Sequence, residues 1–162
     1  MKKNIMKVLI FSLIFLLSYL FYSCKKDSVY KESSCFQVNL FDANQYKIEN
    51  NWILLGFLDT ETKNEICKPE SLKEMNIEFM NNNKFHANSS CNSIFGDYSI
   101  SNPDSIKFTN MNTTLIFCIN DTVREWEEKL WTGLKDATNF DITGNRLIII
   151  TKNDLDMVLK IE

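Results

Sequence analysis

The sequence predicts a mainly β (α+β) fold, an antiparallel meander or barrel-like sheet with one packed helix. Three observations carry this expectation. From Asn50 onward apolar residues alternate with polar ones in several short segments, the period of a half-buried strand. The connections between these segments are short and rich in Asn, Asp and Gly, which makes neighbouring strands antiparallel. A single segment repeats instead at helical spacing.

The elements follow in order. Trp52-Ile53-Leu54-Leu55-Gly56-Phe57-Leu58 is a short apolar run bounded by turn formers, as a buried strand would be. Met75, Ile77 and Phe79 alternate with Asn76 and Glu78. Asn81-Asn82-Asn83 then supplies a turn, because asparagine tolerates positive φ. On the returning strand Phe85 and Ala87 point one way and His86 the other. Tyr98 and Ile100 alternate with Asp97 and Ser99, and Asn102-Pro103-Asp104 turns the chain into Ile106 and Phe108. Val123, Trp126, Leu130 and Leu134 share one helical face, with Arg124, Glu125, Glu127, Glu128 and Lys129 elsewhere. Asp121 or Thr122 is expected to cap that helix, and Gly133 to weaken its last turn. Phe140 and Ile142 lead through Thr143-Gly144-Asn145 into Leu147–Ile150. Lys152-Asn153-Asp154 then opens a last strand carrying Leu155, Met157, Leu159 and Ile161.

The amino end reads as an address. Lys2, Lys3 and Lys7 precede an apolar stretch from Val8 to Tyr22, with Ser23 and Cys24 after it. At ~1.5 Å per residue that stretch falls short of a ~30 Å hydrocarbon core, so residues 1–23 are read as a signal peptide and not an anchor. The junction resembles the lipobox of bacterial lipoproteins, which implies lipid on the Cys24 thiol; ordinary secretion is the other reading. Lipidation at Cys24 implies a cell-envelope protein held at a membrane, the outer membrane being the expected one, with its face left open. Residues 24–49 are mostly polar, with Phe36, Val38, Leu40 and Phe41 as a weak alternating patch. This is read as a tether ending in an edge strand, ahead of one domain at 50–162.

Composition excludes several classes. The chain carries a formal net charge of −3, and loss of the three early lysines makes it more acidic. An acidic chain without a basic cluster argues against nucleic acid as a partner and against electrostatic docking on anionic lipid. Two prolines, four glycines and 12% aromatics describe a folded domain and not a low-complexity stalk. Cys35, Cys67, Cys91 and Cys118 are an even set in an exported chain, which suggests disulfides, with three pairings open. Free buried cysteines are the bland alternative. There is no CxxC spacing and only one histidine, His86, so no metal or other cofactor is expected.

These landmarks together resemble the META domain family (HslJ-like). The family's opening Trp-x-Leu is matched by Trp52-Ile53-Leu54. Its Gly-Cys-Asn followed by Gly-x-Tyr is matched by Ser90-Cys91-Asn92 and Gly96-Asp97-Tyr98. Its Thr-Thr-x-Met-x-Cys is matched by Thr113-Thr114-Leu115-Ile116-Phe117-Cys118, and a helix and terminal hairpin follow. Ser90 replaces glycine, which speaks against any role needing an unusual backbone angle there; Ile116 and Phe117 replace the usual Met and small residue. The resemblance implies a barrel-like antiparallel fold with one helix, an envelope role tied to stress, and no known active site. It also implies that Cys91 pairs with Cys118, leaving Cys35 with Cys67.

Individual sites read mostly as structural. His86 has no nucleophile elbow near it and reads as an exposed strand residue. Glu125, Glu127 and Glu128 diverge on a helix and read as a solvated face, not a calcium site. Trp126 reads as core, while Trp131 is balanced between core and pocket. Three N-glycosylation patterns, at Asn88, Asn112 and Asn120, read as accidents of an Asn-rich chain. Asn92, Gly96 and Tyr98 are expected to shape the fold, with Asn92 satisfying backbone groups at a bend. The functional expectation is a non-enzymatic envelope lipoprotein that binds another protein or acts under envelope stress. The alternatives are a carrier of a small apolar ligand in a curled-sheet cavity, and a protease-inhibitor-like module.

Overall fold

A computed structural model describes residues 35–36 and 47–162. The expected signal peptide, the expected lipidation at Cys24 and the Val38–Phe41 part of the edge-strand expectation lie outside these residues. Among the described residues nine strands and one helix follow in order: β1 (Asn51–Asp59), β2 (Glu65–Cys67), β3 (Asn76–Phe79), β4 (Lys84–Asn88), β5 (Ser93–Ser101), β6 (Ser105–Thr113), α1 (Asp121–Asp136), β7 (Ala137–Thr143), β8 (Arg146–Thr151) and β9 (Leu155–Ile161). Strands β3 to β9 pair in chain order, and β1 bridges β3 to β9, so eight antiparallel strands close a barrel. The short β2 adds beside Gly56–Leu58 of β1. Among the described residues no helix is long and apolar enough to cross a membrane.

The continuous apolar run of β1 becomes intelligible through its pairing. Leu54 stands opposite Leu159 and Gly56 opposite Val158, so Leu55 is one extra residue on β1. A bulge of this kind resets which side chains face inward. Trp52, Leu54 and Phe57 are thereby all buried, which strict alternation would forbid. Trp52 also donates its indole N–H to the Ile48 carbonyl at 2.8 Å. Gly56 lets β2 approach, since a Cβ there would lie 2.3 Å from the Ile66 carbonyl oxygen.

A second bulge lies between β5 and β6, where Phe95 faces Asn112 and Asp97 faces Thr109. Asn110 sits in it at φ 51° and donates to the Asp97 carboxylate at 2.6 Å. Gly96 is needed at this crossing: a Cβ would meet the Thr109 carbonyl oxygen at 2.8 Å and the Phe85 ring at 3.0 Å. Tyr98 turns inward, stacks edge-on against Phe79 at 5.1 Å and donates its hydroxyl to the Met80 carbonyl at 3.1 Å.

The hairpin turns fall where expected, with Asn83, Asn102, Gly144 and Asp154 all at positive φ near 60°. Helix α1 departs from expectation in two ways. Its cap is Asn120, whose side-chain oxygen accepts from Thr122 N and Val123 N, one residue before the sites expected. Gly133 is buried against β9, and a Cβ would lie 2.8 Å from Met157 Sδ. It sets the distance between helix and barrel, rather than merely loosening the last turn. Trp126, Leu130 and Leu134 enter the common core, with Trp126 5.3 Å from Phe57.

One buried carboxyl tests this packing. Asp156 is buried on β9 and accepts from Thr151 N at 2.9 Å. Burial pushes its pKa above the usual 3.8, against the lowering effect of that hydrogen bond. A raised folded-state pKa means that the fold binds the proton more tightly than the unfolded chain does. Stability from this group is therefore fully present below 3.8 and is lost as pH rises through the folded value. Asp156→Asn keeps the acceptor and removes the charge. Thermal unfolding should show the variant more stable than the parent at pH 7, with the difference shrinking as pH falls through the raised folded value and gone below 3.8. A difference that is constant with pH would contradict the assignment.

Candidate functional site: an apolar loop held at alternate residues

Between β6 and α1 the chain runs through Thr114-Leu115-Ile116-Phe117-Cys118-Ile119-Asn120 without regular secondary structure. Every second residue is anchored. Thr114 N donates to the Ser93 carbonyl at 3.0 Å, and its hydroxyl accepts from Ser93 N at 3.0 Å. That hydroxyl donates in turn to Asn92 Oδ1 at 2.8 Å. Ile116 is gripped on both sides of its backbone: its N–H donates to Asn92 Oδ1 at 2.7 Å, and its carbonyl accepts from Asn92 Nδ2 at 3.1 Å. Cys118 is bonded to Cys91, with Cα atoms 6.2 Å apart. The Arg124 guanidinium donates to the Cys118 carbonyl at 2.8 Å. Asn120 closes the series as the helix cap.

The intervening residues point out. Leu115 is 93% exposed, Phe117 81% and Ile119 86%, with Ile116 at 61%. Isolated exposed apolar residues are ordinary, but four within five consecutive positions on a held segment are not. Behind the loop lies an open groove of about 320 Å³, with Ile94, Ile116, Phe117, Arg124, Glu128 and Trp131 in its walls. The loop itself carries no titratable side chain, and its rim is mixed in charge.

Asn92 is the organising residue. It is buried at the start of β5, and the turn before it is tied by Ser89, whose amide and hydroxyl both donate to the Asn92 carbonyl, at 2.9 and 2.7 Å. Its side-chain amide behaves as an extra peptide unit facing Ile116, in line with the bend role expected of it. Ser90 corrects an expectation: it adopts φ 75°, the left-handed region, although it is not glycine. Its hydroxyl donates to the Lys73 carbonyl at 2.9 Å, which helps to hold that angle.

The other singled-out residues do not converge on the loop. His86 is half-buried on β4, facing away from the core strand positions Phe85 and Ala87. Lys84 pairs with Asp97, and with the Asn110 amide holds that carboxyl below the ordinary range. Glu125 pairs with Lys129 on the solvent side of α1. Cys35 is bonded to Cys67, fastening the segment before the domain to β2. Glu65 and Glu127 lie near the two disulfides. Sulfur in a disulfide offers no thiolate, so neither cluster is a metal site while the bonds are intact.

The sequence pattern assigns this loop to no regular element. Five consecutive apolar residues, Leu115 to Ile119, stand between a strand and a helix cap and belong to neither. That mismatch, beside a cysteine, was the available signal.

Replacing Asn92 with Ala removes four side-chain hydrogen bonds, a weak one to Cys118 Sγ among them, and leaves Ile116 N–H without its partner. Chemical denaturation should show a loss of about 2–4 kcal/mol. A loss under about 0.5 kcal/mol would mean that Asn92 does not organise the loop.

Solved structures of low sequence identity share this barrel. A protein solved by NMR is 17% identical, with a TM-score of 0.55 over 72% of this chain and 96% of that one. A second NMR structure, from Burkholderia xenovorans, is 10% identical, with a TM-score of 0.58 over 78% of this chain and 95% of that one. The crystal structure of a DUF4847 family protein from Bacteroides vulgatus ATCC 8482 is 12% identical, with a TM-score of 0.50 over 70% of this chain and 92% of that one. At these identities the likeness is one of fold. No curated relative matches the chain. The META domain model matches residues 48–160, spanning the barrel, the helix and the anchored loop, and the chain belongs to the META domain family.

Proposed function

We propose that this protein is a non-enzymatic lipoprotein of the bacterial cell envelope whose META domain binds another protein through the Thr114–Asn120 loop. The observation that carries the reading is the row of outward apolar side chains at Leu115, Phe117 and Ile119, on a segment fixed at the residues between them. Pre-ordering matters because a flexible loop loses conformational entropy on binding, whereas one already held loses little. Trp52, Phe57, Phe85 and Trp126 are packed inside the barrel, which supports a surface-recognition role over carriage of a small apolar ligand within the sheet. The envelope address rests on the signal-like segment and Cys24. Several acyl chains on Cys24 would hold the domain firmly at a membrane, expected to be the outer one, at ~0.8 kcal/mol per buried CH₂.

Two measurements test this. Radiolabelled palmitate should enter the wild-type protein in a lipoprotein-processing bacterium and should be absent from Cys24→Ala; label retained in the variant would contradict the anchor. A photo-crosslinking residue at Leu115 should yield a discrete protein adduct in native envelope, and one at Lys107 on the exposed face of β6 should not. Equal or absent adducts from both positions would contradict recognition through the loop.

A further inference from the structure

The backbone of the loop repeats the alternation of its side chains. Groups of Thr114, Ile116 and Cys118 are taken by Ser93, Asn92 and Arg124. The N–H and C=O groups of Leu115 and Phe117 have no hydrogen-bond partner among the described residues. An exposed segment with free peptide groups at every second residue is equipped to pair with a partner's strand edge. Endopeptidase clefts accept their substrates by such backbone pairing, with one side chain placed in a primary pocket.

The geometry points to the Leu115–Ile119 segment as a substrate-like inhibitory loop that enters the cleft of a serine endopeptidase with an apolar primary pocket, Phe117 filling that pocket. This rests on recognition through the loop and names the partner. The chemistry of the loop favours that enzyme class. Residues 113–119 include no Asp, Glu or His to bind a catalytic metal, and no Lys or Arg to suit an acidic primary pocket. Phe117 is a large apolar side chain, 81% exposed on an uncharged segment.

The same anchors explain why such a loop would inhibit rather than be consumed. Attack of the enzyme's serine Oγ on the Phe117 carbonyl forms an ester and breaks the Phe117–Cys118 peptide bond. The proton removed from the serine passes through the enzyme's histidine to the departing Cys118 amine. That amine cannot leave, because Cys118 is bonded to Cys91. The acyl side stays in place as well, because Ile116 is held on both sides by Asn92. The amine therefore remains beside the ester, and its attack restores the peptide bond and frees the serine, so reversal competes with hydrolysis.

The test uses the full chain in detergent with both disulfides intact, titrated against chymotrypsin, with trypsin as the comparison. Chymotrypsin should lose activity on a small chromogenic substrate at micromolar or lower inhibitor, and trypsin should not. Phe117→Arg changes only an exposed side chain and should weaken chymotrypsin inhibition at least about 100-fold while creating inhibition of trypsin. A Cys91→Ser/Cys118→Ser variant should be cut in the loop and released. No inhibition of chymotrypsin, elastase or subtilisin at about 10 μM, or identical behaviour of wild type and Phe117→Arg, would overturn the inference. A Leu115 photo-adduct with a protein that is not a peptidase would overturn it while leaving loop recognition standing. Absence of both adduct and inhibition would overturn both.

Discussion

The side-chain amide of Asn92 pairs with the peptide of Ile116 as one strand pairs with another, and much around it is arranged by that contact. Its acceptor oxygen serves Thr114 as well as Ile116, so the end of β6, the loop and the start of β5 are bound at one point. Leaving Leu115, Phe117 and Ile119 in water forgoes roughly 1.5–3 kcal/mol of burial for each side chain. A chain free to move would fold those side chains inward. The Cys91–Cys118 bond, at about 3 kcal/mol in the chain-entropy picture, and the cap at Asn120 work with Asn92 to prevent this. The exposed apolar row is thus a consequence of where the anchors stand.

The barrel explains why the exposed apolar row lies on a loop. Closure of β1 against β9 leaves no sheet edge on that side, and the bulge at Leu55 turns Leu54 and Phe57 inward together. Helix α1 contributes Trp126, Leu130 and Leu134 to the same interior. A filled barrel is a rigid support, and a rigid support lets a short exposed segment keep one shape.

Much of this fold was legible in the residues. Met75, Ile77 and Phe79 alternate because one sheet face meets the core, and asparagines mark turns because they accept positive φ; the last strand departs from its expected alternation, with Asp156 to Leu159 buried in succession. Other features depend on distant partners. The bulge in β1 is visible only against β9, and the packing role of Gly133 only against Met157. The cap lay one residue earlier than expected because Asn, Asp and Thr stand in succession at 120–122. At Ser90 local hydrogen bonds override the residue's intrinsic preference. The disulfide pairing came from family likeness, since four cysteines permit three pairings. The loop was hardest to read, because an apolar run is ordinarily buried and its anchor, Asn92, lies 24 residues away.

Amide hydrogen exchange along residues 114–120 tests this organisation most directly. The Ile116 amide, bonded to Asn92, should be strongly protected, while the Leu115 and Phe117 amides beside it exchange at nearly unprotected rates. Uniformly fast exchange across all three would mean that the loop is not held. Uniform protection would mean that its apolar face is already covered, and either result would contradict the account.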